Sequence, residues 1–297
     1  KAMELQNGFH GNTPKVSIII PTYKGEDDIT HAIDTALGQT YPNLEIVIVN
    51  DGSPDNTSEV VDDHIAGLSE GNRARIIYIE QDNQGVSAAR NNGVVSSSGE
   101  FIALLDDDDS WHPDKIAEQV EKILRSENPN NTLCVTDTKI VRSDGSSELK
   151  ETGPSLNFQQ QLERAWFPNP SSWMMSRSMY DRLGGFDERM SAGEDSDLHF
   201  LIRKKGYDIV NVDQPLTTYH WPHQSDIGEQ RYKGIADSHA LRLEKHGEWL
   251  FAQMTPAQRV RSEYWHRQVI GDERFDQIMN TGTQERAPKA KSDGLVV

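Results

Sequence analysis

The first half of the chain alternates short apolar runs with segments that carry apolar residues on one helical face. Four runs rich in Val, Ile and Leu predict buried β-strands, at residues 16–20, 44–49, 75–79 and 101–105. Apolar residues recur at helical spacing between and after them, at residues 27–39, 55–68, 86–95 and 113–124. This alternation predicts an α/β fold with a mostly parallel sheet and right-handed crossovers.

The second half of the chain has a less regular pattern. Shorter strands are predicted at residues 133–141, 171–176, 209–212 and 216–220. A hairpin turn is predicted at residues 143–146 and a helix at 195–205. From residue 226 the pattern becomes helical and amphipathic, whereas residues 281–297 are polar and predicted to be disordered.

Composition narrows the class of protein. With 35% hydrophobic and 26% charged residues among 297, the chain fits a globular protein with a sizeable core. No apolar run approaches about 18 residues, so no transmembrane helix is expected. Cys134 is the only cysteine, which excludes an internal disulfide and a multi-cysteine zinc site. A cytoplasmic location is the natural expectation, with the inner face of a membrane left open.

The net charge of −17 is carried entirely by residues 1–225, because acidic and basic residues balance from residue 226 onward. Such a surface argues against nucleic acid as a partner. A phosphorylated ligand would therefore need local help from a metal ion or from suitably placed arginines.

Four consecutive aspartates, Asp106 to Asp109, follow the fourth apolar run. Ligand sites in open α/β sheets lie at the carboxyl ends of the strands, and clustered carboxylates relieve their repulsion by binding a divalent cation. The position therefore indicates a metal-assisted site. The alternative is a solvated acidic loop that leads into the next helix.

Polar residues follow two other predicted strands at the same edge of the sheet. The segment Pro21–Tyr23 ends the first strand and brings an aromatic ring that can stack on a base. Asp51 follows the second strand and can accept the imide N–H of a uracil. Arg90, in the third helix, can reach a base or phosphate. Each also has a structural interpretation as an ordinary strand end, turn or helix residue.

Two common nucleotide-binding fingerprints are absent from the sequence. Neither G-x-G-x-x-G after the first strand nor a G-K-[ST] phosphate loop occurs. A nucleotide would therefore be held by another chemistry.

Taken in order, these segments resemble the family 2 inverting glycosyltransferases of the GT-A fold. The resemblance spans about residues 15–225. It is carried by residues 16–23, V-N-D-G-S at 49–53, N-x-G-x-x-x-A-R-N at 83–91, G-E-F-I-A-L-L-D-x-D-D at 99–109, and W-x-P at 111–113.

The resemblance implies a nucleotide-sugar donor, most readily a UDP-sugar, held at the strand ends. The residues that match the donor site are Pro21, Thr22, Tyr23, Asp51, Arg90, Asp106 and Asp107. The family's D-x-D motif maps onto residues 106–108, and Asp108 would be the main ligand of Mn²⁺ or Mg²⁺. His220 and His223 are further candidate ligands, although their spacing departs from the family's Y-R-x-H-like segment.

A second signature, G-G-F-D-E at 184–188 followed by G-E-D-x-D-L at 193–198, resembles the acceptor side of the family. The resemblance makes Asp195 the catalytic base, with Glu194 orienting the acceptor. From the residues alone, Asp195 and Asp197 are equally ordinary first-turn acids of a helix. Trp173, on the preceding strand, is either a stacking surface for an acceptor sugar or a core residue.

The predicted organisation has four parts. Residues 1–14 form a flexible lead-in, 15–225 the GT-A catalytic domain, 226–280 a helical C-terminal extension and 281–297 a disordered tail. The extension can pack on the catalytic domain, form an oligomer contact or face a membrane-bound acceptor. The expected acceptor is a carbohydrate or glycolipid, in the synthesis of a polysaccharide or other glycoconjugate.

Two other functions compete with sugar transfer. A nucleotidyltransferase can share the sheet and the metal chemistry, but residues 24–28 are acidic where such enzymes carry a basic, glycine-rich loop. A non-catalytic sugar-nucleotide-binding module is the other alternative. The carboxylates at Asp108 and Asp195 argue against it.

Overall fold

The computed structural model describes residues 13–151, 158, 167–221 and 229–284, and the side chains of 229–235 and 281–284 are not described. Nine strands form one sheet. They are β1 (Val16–Thr22), β2 (Leu44–Asn50), β3 (Ile76–Glu80), β4 (Phe101–Leu104), β5 (Ser110–Trp111), β6 (Thr132–Arg142), β7 (Ser147–Lys150), β8 (Met174–Ser176) and β9 (Asp208–Trp221).

Ten α-helices accompany the sheet in the described ranges. They are α1 (Ile29–Leu37), α2 (Thr57–Gly67), α3 (Glu70–Arg73), α4 (Val86–Val95), α5 (Lys115–Leu124), α6 (Arg177–Leu183), α7 (Glu194–Lys204), α8 (Glu229–Ala252), α9 (Pro256–Ile270) and α10 (Asp272–Gln284).

The sheet has the order β3-β2-β1-β4-β8-β6-β9-β5, with β7 paired to β6. β3, β2, β1 and β4 are parallel, and so are β6 and β9. β8 lies antiparallel between β4 and β6. The predicted mostly parallel α/β sheet is therefore confirmed, and the parallel block aligns the carboxyl ends of β1, β2 and β4 along one edge.

Both faces of the central strands are buried, which explains why these strands are continuous apolar runs. Ile18 and Ile20 of β1 contribute to a core that includes α1 and α5. Ile19 points to the other face, where α4, α6 and α7 pack. A one-residue slip of β1 would exchange these two sets of side chains.

Several elements differ from the prediction. The two short strands expected between 209 and 220 are one strand, β9, which pairs with β6 along its length through a register shift near Asp137. Residues 170–172 form a 3₁₀ turn before β8. The polar segment that becomes α6 was not predicted, and α10 continues to Gln284, beyond the expected end at residue 280.

The C-terminal helices are tied to the rest of the molecule by polar contacts. Leu243, Phe251 and Phe275 form a small apolar cluster of their own among α8, α9 and α10. Buried Asp197, in the first turn of α7, accepts hydrogen bonds from Lys245 and His246 of α8. Within the described residues, no helix is long and apolar enough to cross a membrane.

Candidate active site

The polar residues that end β1, β2 and β4 meet at one edge of the sheet. Thr22 and Asn50 are register partners, and the backbone N–H of Asp51 donates to the carbonyl of Thr22 at 2.9 Å. The chain leaves β4 beside β1, since the N–H of Leu105 donates to the carbonyl of Ile19 at 3.0 Å. This geometry brings the aspartate loop of residues 106–109 next to the predicted donor residues.

Each aspartate of the 106–109 loop has a different environment. Asp106 is paired with Arg90, and Asp107 accepts a hydrogen bond from the hydroxyl of Thr22. Asp109 is buried and accepts hydrogen bonds from the backbone N–H of His220 and the amide of Asn169. Asp109 therefore fastens the loop to the end of β9.

Trp111 packs beneath the aspartate loop. Its ring is buried and its indole N–H donates to the carbonyl of Ser171 at 2.7 Å. The hydroxyl of Ser171 accepts from the N–H of Asp106 at 3.0 Å. One serine thus holds both ends of the loop, because β5 returns the chain to the sheet directly after it.

Burial and mutual repulsion perturb the loop carboxylates. Burial raises the pKa of Asp107 to about 7, with further increases from Asp108 and Asp106 and an opposing effect of the Thr22 hydroxyl. Burial and Asp106 raise the pKa of Asp108 to about 6. Such a site favours a cation, and its hard oxygen atoms suit Mn²⁺ or Mg²⁺.

The residues present fit part of a metal coordination shell. The Nδ1–H of His220 donates to the carbonyl of Asp108 at 2.7 Å, so His220 lies beside the loop and Nε2 is the nitrogen with a lone pair. His223 lies outside the described residues. Within those residues, no group of three or more His, Cys, Asp and Glu side chains is arranged to hold an ion by itself.

Asp51 organises the loop that precedes α4. Its carboxylate accepts hydrogen bonds from the side chain of Gln81 and the backbone N–H groups of Gln84 and Gly85, at 2.7–2.9 Å. Gly85 begins α4 with a φ of 93°, a conformation that favours glycine. Contact between Asp51 and a base stays a prediction, for which the carboxylate retains acceptor capacity.

Pro21 and Tyr23 occupy different environments at the end of β1. Pro21 is buried and lies in register with Val49 of β2. Tyr23 is 47% exposed, and the Nζ of Lys24 lies 5.5 Å from its ring centroid. The Tyr23 ring is therefore the accessible aromatic surface at this edge.

Arg90 joins the aspartate loop to the start of α7. Its side chain is only 3% exposed, and it donates to Asp106 at 2.6 Å and to Glu194 at 2.8 Å. Its guanidinium also lies 5.0 Å from the ring centroid of Phe186. Both terminal nitrogens are thus engaged by carboxylates, whereas the sequence predicted contact with the nucleotide.

The predicted base, Asp195, is the second residue of α7. Burial, followed by the charge of Glu194, raises its pKa to about 6, while the N–H of Ser196, Arg90 and Arg242 act in the opposite direction. The helix N-terminus favours the ionised form, but burial outweighs it. Asp195 is therefore a carboxylate that exchanges its proton near neutral pH, which suits a general base.

Trp173 is corrected to a core residue. Its ring is fully buried, its indole N–H donates to the carbonyl of Pro168, and it stacks on Phe186. The interpretation as a stacking surface for a sugar is wrong for this structure, because β8 turns the ring into the interior.

Residues 17–184, more than half of the chain, match the sequence profile of Glycosyl transferase family 2. The chain belongs to glycosyltransferase family 2.

Several other glycosyltransferases are similar in sequence to part of this chain. An uncharacterised glycosyltransferase of Rickettsia felis is 34% identical over 195 residues, covering 64% of this chain and 31% of that protein. The amylovoran biosynthesis glycosyltransferase AmsB of Erwinia amylovora is 29% identical over 213 residues, covering 69% of each. The chain spans 27–58% of the length of the Rickettsia relatives it matches.

Solved structures share the fold of this family-2 chain. Residues 1–349 of S. aureus TarS, determined in complex with UDP-GlcNAc, give a TM-score of 0.58 at 19% identity, over 89% of this chain and 83% of that one. The same segment without ligand gives 0.60 at 16% identity, over 92% of each chain. The fold is therefore the GT-A type, with helices after the sheet domain.

The sequence predicts no role for Gly25 and Arg242, and it includes Gly193 only as part of the G-E-D-x-D-L signature. A Cβ on Gly25 would clash with the Thr22 hydroxyl and with a carboxylate oxygen of Asp107, so a larger residue there would displace the hydrogen bond between these two side chains. A Cβ on Gly193 would lie 2.8 Å from a guanidinium nitrogen of Arg242, which reaches the site from α8. A lone glycine or a helix arginine carries no signal of such contacts, since they are made between distant segments.

Proposed function

We propose that this chain transfers a sugar from a nucleotide-diphosphate donor to an acceptor hydroxyl with inversion at the anomeric carbon. The observation that carries the proposal is the buried ion-pair bridge from Asp106 through Arg90 to Glu194, beside Asp195. It connects the strand-end loop suited to a diphosphate with a carboxylate suited to take a proton. Family membership supports sugar transfer as the reaction.

A UDP-sugar is the proposed donor. The TarS structures with UDP and UDP-GlcNAc share the fold and support this choice. The nucleoside would lie between Tyr23 and the Asp51 loop, with the diphosphate directed towards Asp108. The acceptor would be a carbohydrate or glycolipid hydroxyl on the Asp195 side.

Mn²⁺ or Mg²⁺ is the proposed cofactor. Asp108 would hold it, with His220 and Asp106 beside it, and a bound ion would offset the negative charge of the departing diphosphate. Mg²⁺ is usually held by one or two carboxylates together with substrate phosphates. An incomplete protein shell around Asp108 is therefore compatible with an ion that arrives with the donor.

Asp195 would act on the acceptor. Its carboxylate takes the hydroxyl proton as the oxygen attacks the anomeric carbon from the face opposite the leaving group. Glu194 is held in place by Arg90 and fixes the first turn of α7. Asp107 is fixed by Thr22, and their contact over Gly25 shapes the floor of the donor site.

Replacement of the two key carboxylates tests the proposal. Asp195→Asn should abolish transfer and leave UDP binding intact, because the base acts only on the acceptor. Asp108→Asn should weaken Mn²⁺-dependent UDP binding at least tenfold, since it removes a charged ligand. Calorimetry with UDP and Mn²⁺, and product analysis with a panel of UDP-sugars, measure these effects.

The exposed Asp63→Asn, on α2, is the matched control and should behave as wild type. Near-normal transfer by Asp195→Asn would contradict the base assignment. UDP binding without transfer or hydrolysis of any sugar nucleotide by the wild-type chain would favour a non-catalytic module instead.

A further inference from the structure

A cavity of about 480 Å³ lies between α7 and the C-terminal helices, next to the proposed base. Ser196, which directly follows Asp195, forms part of its wall together with Phe200 of α7. Arg242 of α8 and Arg261 of α9 line it from the other side. The cavity therefore adjoins the first turn of α7, which carries Glu194 and Asp195.

The charge of this cavity differs from that of the molecule. The chain carries a net charge of −17, yet the described lining residues include two arginines and no carboxylate. His266 also lines the cavity, and burial lowers its pKa to about 4, so it is neutral at pH 7. At neutral pH the cavity is therefore cationic.

Arg242 and Arg261 form no ion pair among the described residues, so both can bind an anionic ligand. Arg259 and Arg267 of α9 pair with neighbouring carboxylates, whereas Arg261 makes no ion pair within the described part of the chain. Burial lowers the pKa of Arg242 even though Asp195 and other carboxylates lie near it. Arg242 forms no ion pair with any described carboxylate, and its Nη2 instead donates to the ring of neutral His239.

Aromatic rings complete the lining. Phe167 and Phe200 form the inner wall with their ring centroids 5.2 Å apart. Trp265 is 50% exposed and packs in a T-shaped arrangement against His239, at a centroid distance of 4.4 Å. An accessible indole beside a cation suits the apolar face of a sugar ring that bears an anionic group.

We propose that this cavity is the acceptor site and that the acceptor is an anionic saccharide. The inference rests on the proposed function and extends it to the class of acceptor. A phosphate or carboxylate of the acceptor lies against Arg242 and Arg261, and a sugar ring lies on Trp265. The donor occupies the opposite end of the bridge, at Thr22 and Asp107, so both substrates flank Asp195.

Ligand-observed NMR titration with matched probes tests the proposal. Glucose 6-phosphate and glucuronic acid carry the two kinds of anion, and glucose is the neutral control. At least one anionic probe should bind the full chain about tenfold more tightly than glucose, because the arginines can donate charge-assisted hydrogen bonds to its anionic group and not to glucose. The relative affinities of the two probes distinguish a phosphate-bearing from a carboxylate-bearing acceptor.

Variants locate the binding in the cavity. Arg261→Gln should reduce affinity for the anionic probe about tenfold. Arg259→Gln, the same change on the same helix, should leave it unchanged, because Arg259 pairs with Glu263 and does not line the cavity. Ser262→Phe retains both arginines but fills the cavity, and should abolish probe binding.

UDP titration with Mn²⁺ in the same samples separates the two proposals. UDP binding with no anionic preference, or an equal loss in Arg259→Gln and Arg261→Gln, would overturn the acceptor site alone. Failure of UDP to bind would instead contradict the proposed function. Unchanged probe affinity in Ser262→Phe would place the bound probe elsewhere and also overturn the acceptor site.

Discussion

Asp195 holds its proton to a higher pH than an ordinary aspartate, and its neighbours determine by how much. Burial and Glu194 raise its pKa to about 6, whereas Arg90 and Arg242 act to lower it. The same residue type in the exposed Asp144 has a lowered pKa, because hydrogen bonds from Ser146 favour its carboxylate. Environment, and not residue type, makes Asp195 suited to proton transfer.

The first prediction concerns the pH dependence of transfer. If Asp195 is the base as proposed, its ionised form is the active one, and kcat/KM should fall about tenfold per pH unit below about 6. Arg242→Gln removes a charge that stabilises the carboxylate, and should move this acid limb to higher pH. The measurement is a pH profile of kcat/KM at saturating donor and Mn²⁺.

Arg259→Gln is the control for Arg242→Gln, because it removes a similar charge that is paired with Glu263 on the same helix and not with Asp195. Its acid limb should coincide with that of the wild type. An Arg242→Gln limb that did not move would show that Asp195 is not the titrating group.

At the scale of elements, the sequence predicts strands best where both faces of the strand are buried. β1, β2 and β4 are continuous apolar runs because both faces of the sheet are covered. The sequence predicts two short strands in place of β9, because Asp213 and Pro215 interrupt its apolar pattern. In the structure β9 pairs with β6 on both sides of this interruption. The sequence does not predict α6, because its largely polar residues show no apolar helical spacing. Packing against the core stabilises this helix instead.

The candidate site likewise contains some contacts that the sequence predicts and others that it does not. Thr22, Asp51 and the 106–109 loop were predicted to meet, since parallel strands end at one edge. The partners of Arg90 were not predicted, because they depend on where α7 packs against α4. The contact of Arg242 was not predicted either, since nothing local indicates that α8 returns to residue 193.

The second prediction concerns the attachment of α8 to α7. Asp197→Ala should lower the free energy of unfolding by about 3 kcal/mol, because it leaves buried His246 without its carboxylate and Lys245 with Asp187 alone. Hydrogen exchange in residues 236–252 should accelerate at the same time. Urea denaturation and exchange mass spectrometry measure the two effects.

Asp237→Ala is the matched control, because the side chain of Asp237 is 70% exposed in its ion pair with Arg274. It should change stability by less than about 0.5 kcal/mol. Equal effects of the two substitutions would contradict a structural role for the Asp197 contacts.

At the scale of the whole molecule, the free energy of unfolding depends on pH through Glu45, which lies at the end of the sheet opposite the candidate site. Glu45 of β2 joins the starts of β1 and β4 through hydrogen bonds from Lys15, Ser17 and Ser98. Burial alone would raise its pKa, but these donors outweigh burial and lower the pKa to about 2.

The third prediction follows from the sign of that shift. A folded-state pKa of about 2 against an ordinary 4.5 contributes about 3 kcal/mol, present above pH 4.5 and lost as the pH falls towards 2. Glu45→Gln should therefore destabilise the protein at pH 7 and much less at pH 2. Urea denaturation across this range measures the difference.

Glu70→Gln, at an exposed position on α3, should leave the pH dependence of stability unchanged. A Glu45→Gln variant whose destabilisation stayed constant from pH 7 to pH 2 would contradict the proposed contribution of the ionised carboxylate.

If donor and acceptor bind as proposed, the guanidinium that Asp106 and Glu194 share on Arg90 would link their two sites thermodynamically. A donor that weakens the ion pair between Asp106 and Arg90 would strengthen the ion pair between Arg90 and Glu194. An acceptor that displaces Glu194 would likewise strengthen the ion pair between Arg90 and Asp106. By linkage, each substrate changes the affinity of the other by the same factor. One buried ion pair thus provides a route to cooperative substrate binding without any subunit contact.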